Sequence, residues 1–291
     1  MGFQHQSQAM IIDSHVHICP PWIKDKRQEY CRQEQEFAAL YQDPRSRLAT
    51  ASELVQAMQD TGVEKSVVFG FPWRDPETTR LHNDYVLEAA RQYPEHLIPF
   101  CCLDPLQENA LQEAKRCLQL GARGIGELAF YHRDLDQELA QDMKPLLDLV
   151  QEAGVPVLLH TNEPVGHSYP GKSPMTLAGL YALLRSSPET TWILAHLGGG
   201  LPFFAYLKKE VPETLRNCWL DTAAMPFLYR PQVLPVLAQA VGAEKLLFGT
   251  DYPLLGPKRY FKEFAESGLE DSQQDKLLGG NAAALLGLSR D

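Results

Sequence analysis

The chain contains no apolar run approaching the 18 or so residues that a bilayer span requires, which argues against a membrane protein. It has no C-x-x-C pair: the six cysteines stand at positions 19, 31, 101, 102, 117 and 218, so zinc-ribbon and thioredoxin-like readings fail. It has no excess of basic residues. Lys and Arg number 27 against 37 Asp and Glu, giving a net charge of −10 and a sequence pI near 5.4. Such a surface repels phosphate backbones and anionic lipid, so neither nucleic acid nor a membrane is expected as a partner. The opening residues, MGFQHQSQAM, lack the basic start and apolar stretch of a secretory signal. A cytoplasmic protein with free thiols is therefore the expectation. Neither an internal repeat nor a low-complexity tract occurs.

What remains is an ordinary globular composition, 44% apolar and 22% charged over 291 residues, with a regular rhythm. Short β-branched runs alternate with longer amphipathic stretches. The runs predict eight strands, at Met10–His17, Lys65–Gly70, Leu97–Leu103, Arg123–Leu128, Pro156–Thr161, Thr191–His196, Asn217–Thr222 and Lys245–Thr250. Helices are predicted over Ser52–Thr61, Thr79–Gln92, Ala110–Leu120, Gln137–Ala153, Thr176–Ser186, Pro202–Lys209, Pro231–Val241 and Ser272–Leu288. Ser52 reads as a helix cap. Strands alternating with helices at this spacing imply a parallel sheet with right-handed crossovers, and eight units suggest closure into a (β/α)₈ barrel. An open doubly wound sheet is the alternative. The expected organisation is a tail over residues 1–9 and one barrel over 10–291, interrupted by an excursion over 19–50. Asp25–Tyr41 within it is charged and helix-prone, and reads either as a lid over the barrel mouth or as a solvated surface helix.

The chemistry-bearing residues sit where strands end. Asp13-Ser14-His15-Val16-His17 closes the first strand. Alternate strand residues share a face, so His15 and His17 present two imidazoles side by side, half of a metal site. Apolar runs then stop abruptly at Glu127, His160, His196 and Asp251. In a barrel all these tips surround one point, and a cation offsets the cost of burying the acids there. The loop TNEPVGHSYPGK carries His167 and Lys172, and Tyr131, His132 and Arg133 follow Glu127. His167, Lys172, Tyr131 and His132 are candidates for substrate binding. Asp221, ending the seventh strand, reads as an anchor for loop backbone or an orienting contact, and Asn281 as a tie for the last helix.

The ordered set of motifs resembles the amidohydrolase superfamily, in particular the amidohydrolase 2 group of metal-dependent hydrolases and aminocarboxymuconate-semialdehyde-decarboxylase-like enzymes. It consists of D-S-H-V-H at 13–17, C-C-L-D-P at 101–105, G-A-R-G-I-G-E at 121–127, His160, A-H-L-G-G-G at 195–200, F-G-T-D-Y-P at 248–253 and N-A-A-A-L-L-G-L at 281–288. The resemblance implies that His15 and His17 bind the more buried metal and that His160 is a ligand. It implies that Asp251 both binds metal and serves as general base. It gives His196 either a second metal or the polarising of the substrate. Where many such enzymes carry a bridging lysine on the fourth strand, this chain has Glu127, which is similar to the bridging glutamate of TatD-like hydrolases. Imidazole with carboxylate suits zinc, one ion or two, with manganese or another divalent metal as the substitute. Because bridged metals suit hydroxide generation, the expectation is hydrolysis of a small ester, lactone, amide or phosphoester by a metal-activated water. The alternative is zinc-dependent, non-oxidative decarboxylation of an aromatic or enoic acid. The partner is a small-molecule substrate; barrels often pair, so a homodimer is open, but the oligomeric state is not legible in the sequence.

Overall fold

A computed structural model describes residues 10–289; the expected N-terminal tail lies outside them. Eight parallel strands form in the predicted order: β1 (Ile12–His17), β2 (Lys65–Phe69), β3 (Leu97–Pro99), β4 (Ile125–Leu128), β5 (Val157–Leu159), β6 (Trp192–Leu194), β7 (Cys218–Asp221) and β8 (Leu246–Leu247). β1–β3 and β4–β8 make two continuous ladders. A parallel bridge between Cys101 and Ile125 joins them on one side, and one between Val16 and Tyr252 joins them on the other, closing the barrel. Alternation along each strand divides the apolar residues. Val67, Phe69, Ile98, Phe100, Leu158, Ile193 and Leu247 fill the interior. Their neighbours Val68, Leu97, Val157, Leu159, Trp192 and Leu194 belong to the larger cluster beneath the helices.

Two irregularities position the chemistry. Ile12 faces the barrel interior, so strict alternation would point Ser14 and Val16 inward. The pairing of β1 with β2 shifts between Asp13 and Val16, and Val16 packs under the helices instead. His15 and His17 take the inward face, each edge-on to Phe69. The same occurs on β4, where Ile125 and Leu128 both face outward across a register shift. Glu127 is thereby turned inward. Gly126 makes this shift sterically allowed: its φ is 136°, and a Cβ there would lie 2.3 Å from the Leu158 carbonyl oxygen.

Several helices differ from expectation. Thr50, not Ser52, caps the first barrel helix, Ala51–Gln59, through a reciprocal pair of bonds with Glu53. The predicted Gln137–Ala153 helix is two, Gln137–Asp142 and Lys144–Ala153, because Pro145 has no N–H to continue the first. No α-helix runs over 202–209; 3-10 turns occupy its first part, to Tyr206. The chain instead leaves β6 through five successive residues of positive φ, His196 to Gly200, and ends its tight turns at Tyr206. The closing segment is Asp271–Asp275 and Asn281–Leu286 around a wide turn, Lys276–Gly280. That turn brings Gly279 against the start of β1, where a Cβ would lie 1.7 Å from the Met10 carbonyl oxygen. Asn281 donates to the Ala243 and Leu246 carbonyls and ties the closing helix to β8. No helix among the described residues is long and apolar enough to cross a membrane.

The excursion after β1 folds as three short helices, Pro21–Asp25, Arg27–Gln33 and Gln35–Tyr41. It has an apolar cluster of its own, in which Ile23, Cys31, Phe37 and Leu48 pack on Phe71 and Trp73 from the β2 exit. Glu36 ties it to the Arg74 guanidinium and to His132.

Candidate active site

The six strand-tip residues converge. On one side, His15 Nε2 lies 3.9 Å from Glu127 Oε2 and 3.7 Å from Asp251 Oδ1. His17 Nε2 lies 3.6 Å and 3.4 Å from the same two oxygens. On the other side, Glu127 Oε1 lies 3.0 Å from His160 Nδ1 and 3.9 Å from His196 Nε2, and the two imidazole nitrogens are 3.3 Å apart. Glu127 thus turns one oxygen to each group.

Backbone fixes most of these side chains. The His17 Nδ1–H donates to the Gly70 carbonyl, leaving Nε2 for the cluster. His196 Nδ1–H likewise donates to the Ala223 carbonyl at 2.8 Å, leaving its Nε2 lone pair toward the mouth. Asp251 sits at φ 61°, with its N–H bonded to the His15 carbonyl. Asp13 accepts from the Thr250 hydroxyl and N–H, pinning the β8 exit to β1.

The electrostatics follow from crowding. Burial alone would push the His15 imidazole down, but Asp221, Glu127 and Asp251 overcome it and raise His15 to about 10. Burial would push Glu127 up, but the imidazoles of His160, His15 and His17 hold it at about 2. Asp251 is also held well below the usual carboxylate range against the effect of burial, by His17, His15 and His196. Burial, with His160 beside it, keeps His196 below its ordinary value.

This donor set fits a divalent cation. Four ligands about 2.0–2.1 Å from a common centre stand about 3.4 Å apart in a tetrahedron, and the contacts of His15 and His17 with Glu127 and Asp251 run from 3.4 to 3.9 Å. His15 Nε2 and His160 Nε2 are buried without a hydrogen-bond partner, as expected of nitrogens whose proper partner is not a protein atom. His15, His17 and Glu127 form one metal-competent group, and Glu127, His160 and His196 another.

Above the cluster opens a cavity of about 440 Å³. His17, Glu127, His160, His196 and Asp251 form its floor. Its walls are apolar and aromatic: Phe71, Tyr131, Tyr169, Phe227 and Leu254, with Leu40, Tyr41, Ser46 and Arg47 from the excursion. Arg47 is the single Lys or Arg among the described lining residues. Of the four candidate substrate contacts, Tyr131 lines the cavity and the others do not. His132 is bonded to Glu36. Lys172 donates to Glu163 and to the His167 carbonyl, and Tyr169 donates to the same Glu163, so the charge of Lys172 is spent within its own loop. Sequence reasoning missed Tyr41 and Arg47, which lie far along the sequence from any strand tip but line the cavity above the tips.

A closed parallel barrel whose strand tips gather imidazoles and carboxylates defines a class of mononuclear or binuclear metal enzyme. Within it, residues 12–288 match the amidohydrolase family model, and the chain belongs to that family and is an enzyme of its superfamily. Among curated relatives, 2-amino-3-carboxymuconate-6-semialdehyde decarboxylase of Dictyostelium discoideum is 25% identical, over 76% of this chain and 70% of its own length. Gamma-resorcylate decarboxylase of Polaromonas sp. is 27% identical, over 75% and 78%. Among solved structures, 5-carboxyvanillate decarboxylase from Sphingomonas paucimobilis superposes with a TM-score of 0.78 at 16% identity, covering 97% of this chain and all of the other. A dihydroxybenzoic acid decarboxylase from Polaromonas sp. JS666, solved with bound manganese and the inhibitor 2-nitroresorcinol, gives 0.71 at 20% identity, covering 98% of each.

These relatives overturn the expectation of hydrolysis, since they are decarboxylases. That expectation leaned on Glu127 as a sign of hydroxide generation. The donor set does not discriminate: ligands that would acidify a bound water would equally hold a metal that grips a substrate carboxylate.

Proposed function

We propose that this protein is a divalent-metal-dependent, non-oxidative decarboxylase of a small aromatic carboxylic acid. What carries the reading is the agreement of the curated relatives, matched over about three quarters of the chain, with a cavity whose apolar walls stand over a floor of cation ligands. His15, His17, Glu127 and Asp251 would hold the ion, zinc or manganese. When bound, it would supply a Lewis acid for the substrate carboxylate.

The residues of the chain do the rest. Phe71, Tyr131 and Phe227 hold the ring and exclude water. Asp251 moves the proton: the bond from ring to carboxylate breaks, its electron pair stays on the ring carbon, and that carbon takes the proton from Asp251 while carbon dioxide departs. Asp251 then recovers a proton from solvent. His196, neutral and with its Nε2 lone pair facing inward, accepts from a substrate hydroxyl. Arg47 answers a second anionic or oxygen-bearing substituent at the wall. His160 stands beside Glu127 Oε1 and, with His196, offers the donors a second ion would use; one ion per chain is the count this reading requires.

The test is to supply manganese- or zinc-loaded protein with gamma-resorcylate, 5-carboxyvanillate and related hydroxybenzoic acids and to measure carbon dioxide. Release in step with loss of acid, abolished by a chelator, is the expected result. Hydrolysis of lactones or esters with every acid left intact would reject the reading.

A further inference from the structure

Beneath the cage lies a carboxylate that makes no contact with the cavity. Asp221, at the end of β7, is fully buried, and its two oxygens bond different partners. Oδ1 accepts the backbone N–H groups of His196, at 3.1 Å, and of Ala223, at 3.0 Å. Oδ2 lies 2.9 Å from His15 Nδ1. The other nitrogen of His15, Nε2, is buried, has no hydrogen-bond partner and faces Glu127 and Asp251.

A neutral imidazole has one proton to place between two nitrogens. To ligate a cation, His15 must show a lone pair at Nε2 and so carry the proton on Nδ1, where something must accept it. We propose that Asp221 is the positioning residue that selects this tautomer of His15, and that its other oxygen sets the left-handed turn carrying His196. One buried side chain thereby aligns a ligand from β1 with an acceptor from β6. The inference rests on the reading that the cage holds a divalent ion.

Asp221→Asn tests it, because the shape is kept and the chemistry reversed. Two backbone N–H groups hold the amide oxygen at the Oδ1 position, so the amide NH₂ turns to His15 Nδ1, which must then accept. The proton moves to Nε2 and the ligand is lost. Manganese binding to wild type and variant would be measured by competition with a chromogenic chelator, with thermal melting of the metal-free proteins alongside. The expected result is a variant that melts near wild type and binds manganese about 10- to 100-fold more weakly. Equal affinities in a folded variant overturn this inference alone. A wild-type chain that takes up neither manganese nor zinc overturns the cage reading and this inference together. If the variant does not fold, nitrogen–proton correlation spectra of histidine-labelled, zinc-loaded wild type decide the matter: a proton on His15 Nδ1 supports the assignment, and a proton on Nε2 overturns it.

Discussion

The strand tips and the excursion after β1 both face the same cavity, and they are built on different terms. At the tips, register shifts in β1 and β4 aim His15, His17 and Glu127 inward from within the ladders, while His160, His196 and Asp251 stand within a few residues of the ends of β5, β6 and β8, where backbone bonds such as that from Asp251 N–H to the His15 carbonyl hold the chain. The excursion has no ladder. Three short helices hang on a small aromatic cluster and on the bonds of Glu36 to Arg74 and His132, yet it contributes Leu40, Tyr41, Ser46 and Arg47 to the wall. On the proposed reading this is a division of labour: groups that must be placed to a fraction of an ångström sit on strands or just past their ends, and groups that choose among substrates sit where the chain can change without disturbing the barrel.

Substitutions on each side should separate these roles. The largest effect belongs to the tips: Asp251→Asn should lower turnover by about 10³-fold or more, because under the proposed mechanism it removes both a cage ligand and the proton carrier, while melting close to wild type. Residual turnover within tenfold of wild type would place the proton elsewhere.

The seam between the regions comes next. His82 is fully buried, donates from Nε2 to the Ile18 carbonyl at the foot of the excursion, and accepts from Trp73 Nε1. Burial outweighs its bond to Ile18 and depresses it from 6.5 to about 4. The unfolded chain therefore binds this proton more readily than the folded one. The stability this creates is complete above pH 6.5 and is lost as the pH falls through 4, about 3 kcal/mol in all. His82→Gln can make both hydrogen bonds without titrating. Denaturant melts at pH 7 and pH 4 should show a smaller acid loss in the variant, and an unchanged loss would assign the acid sensitivity to other groups.

Smaller effects belong to the excursion. Arg47→Ala should raise KM about tenfold, the worth of one charge-assisted bond, and leave kcat within a few-fold. Tyr41→Phe, which removes one hydroxyl from the wall, should raise KM by a factor of about 2 to 10. If either change lowers kcat as Asp251→Asn does, the division of labour is wrong, because the excursion would then hold part of the catalytic apparatus.

The same contrast explains what could be read in the sequence. All eight strands and the ligand-type residues at their tips were legible, because apolar runs ending in an acid or imidazole are a one-dimensional signal. The left-handed run from His196 to Gly200 was not legible, because it depends on three glycines adopting conformations that a periodic apolar pattern does not report, and the helix expected over 202–209 is 3-10 turns that end at Tyr206. Tyr41 and Arg47 were invisible because they reach the cavity through the path of the excursion, which no local pattern encodes. Lys172 and His132 look like substrate contacts in the sequence, but Glu163 and Glu36 already engage them in space. The choice between hydrolysis and decarboxylation was misread because both reactions use the same ligands. What differs is the molecule above them, and only the walls of the cavity and the relatives speak to that.

The most direct test follows the proton. A hydroxybenzoic acid that the metal-loaded protein consumes in ²H₂O should yield one carbon dioxide per ring and a product with a single deuterium at the carbon that had carried the carboxylate, as read by mass and NMR spectra. Acid consumed without carbon dioxide, or a product with no deuterium at that carbon, would contradict proton delivery at the cage.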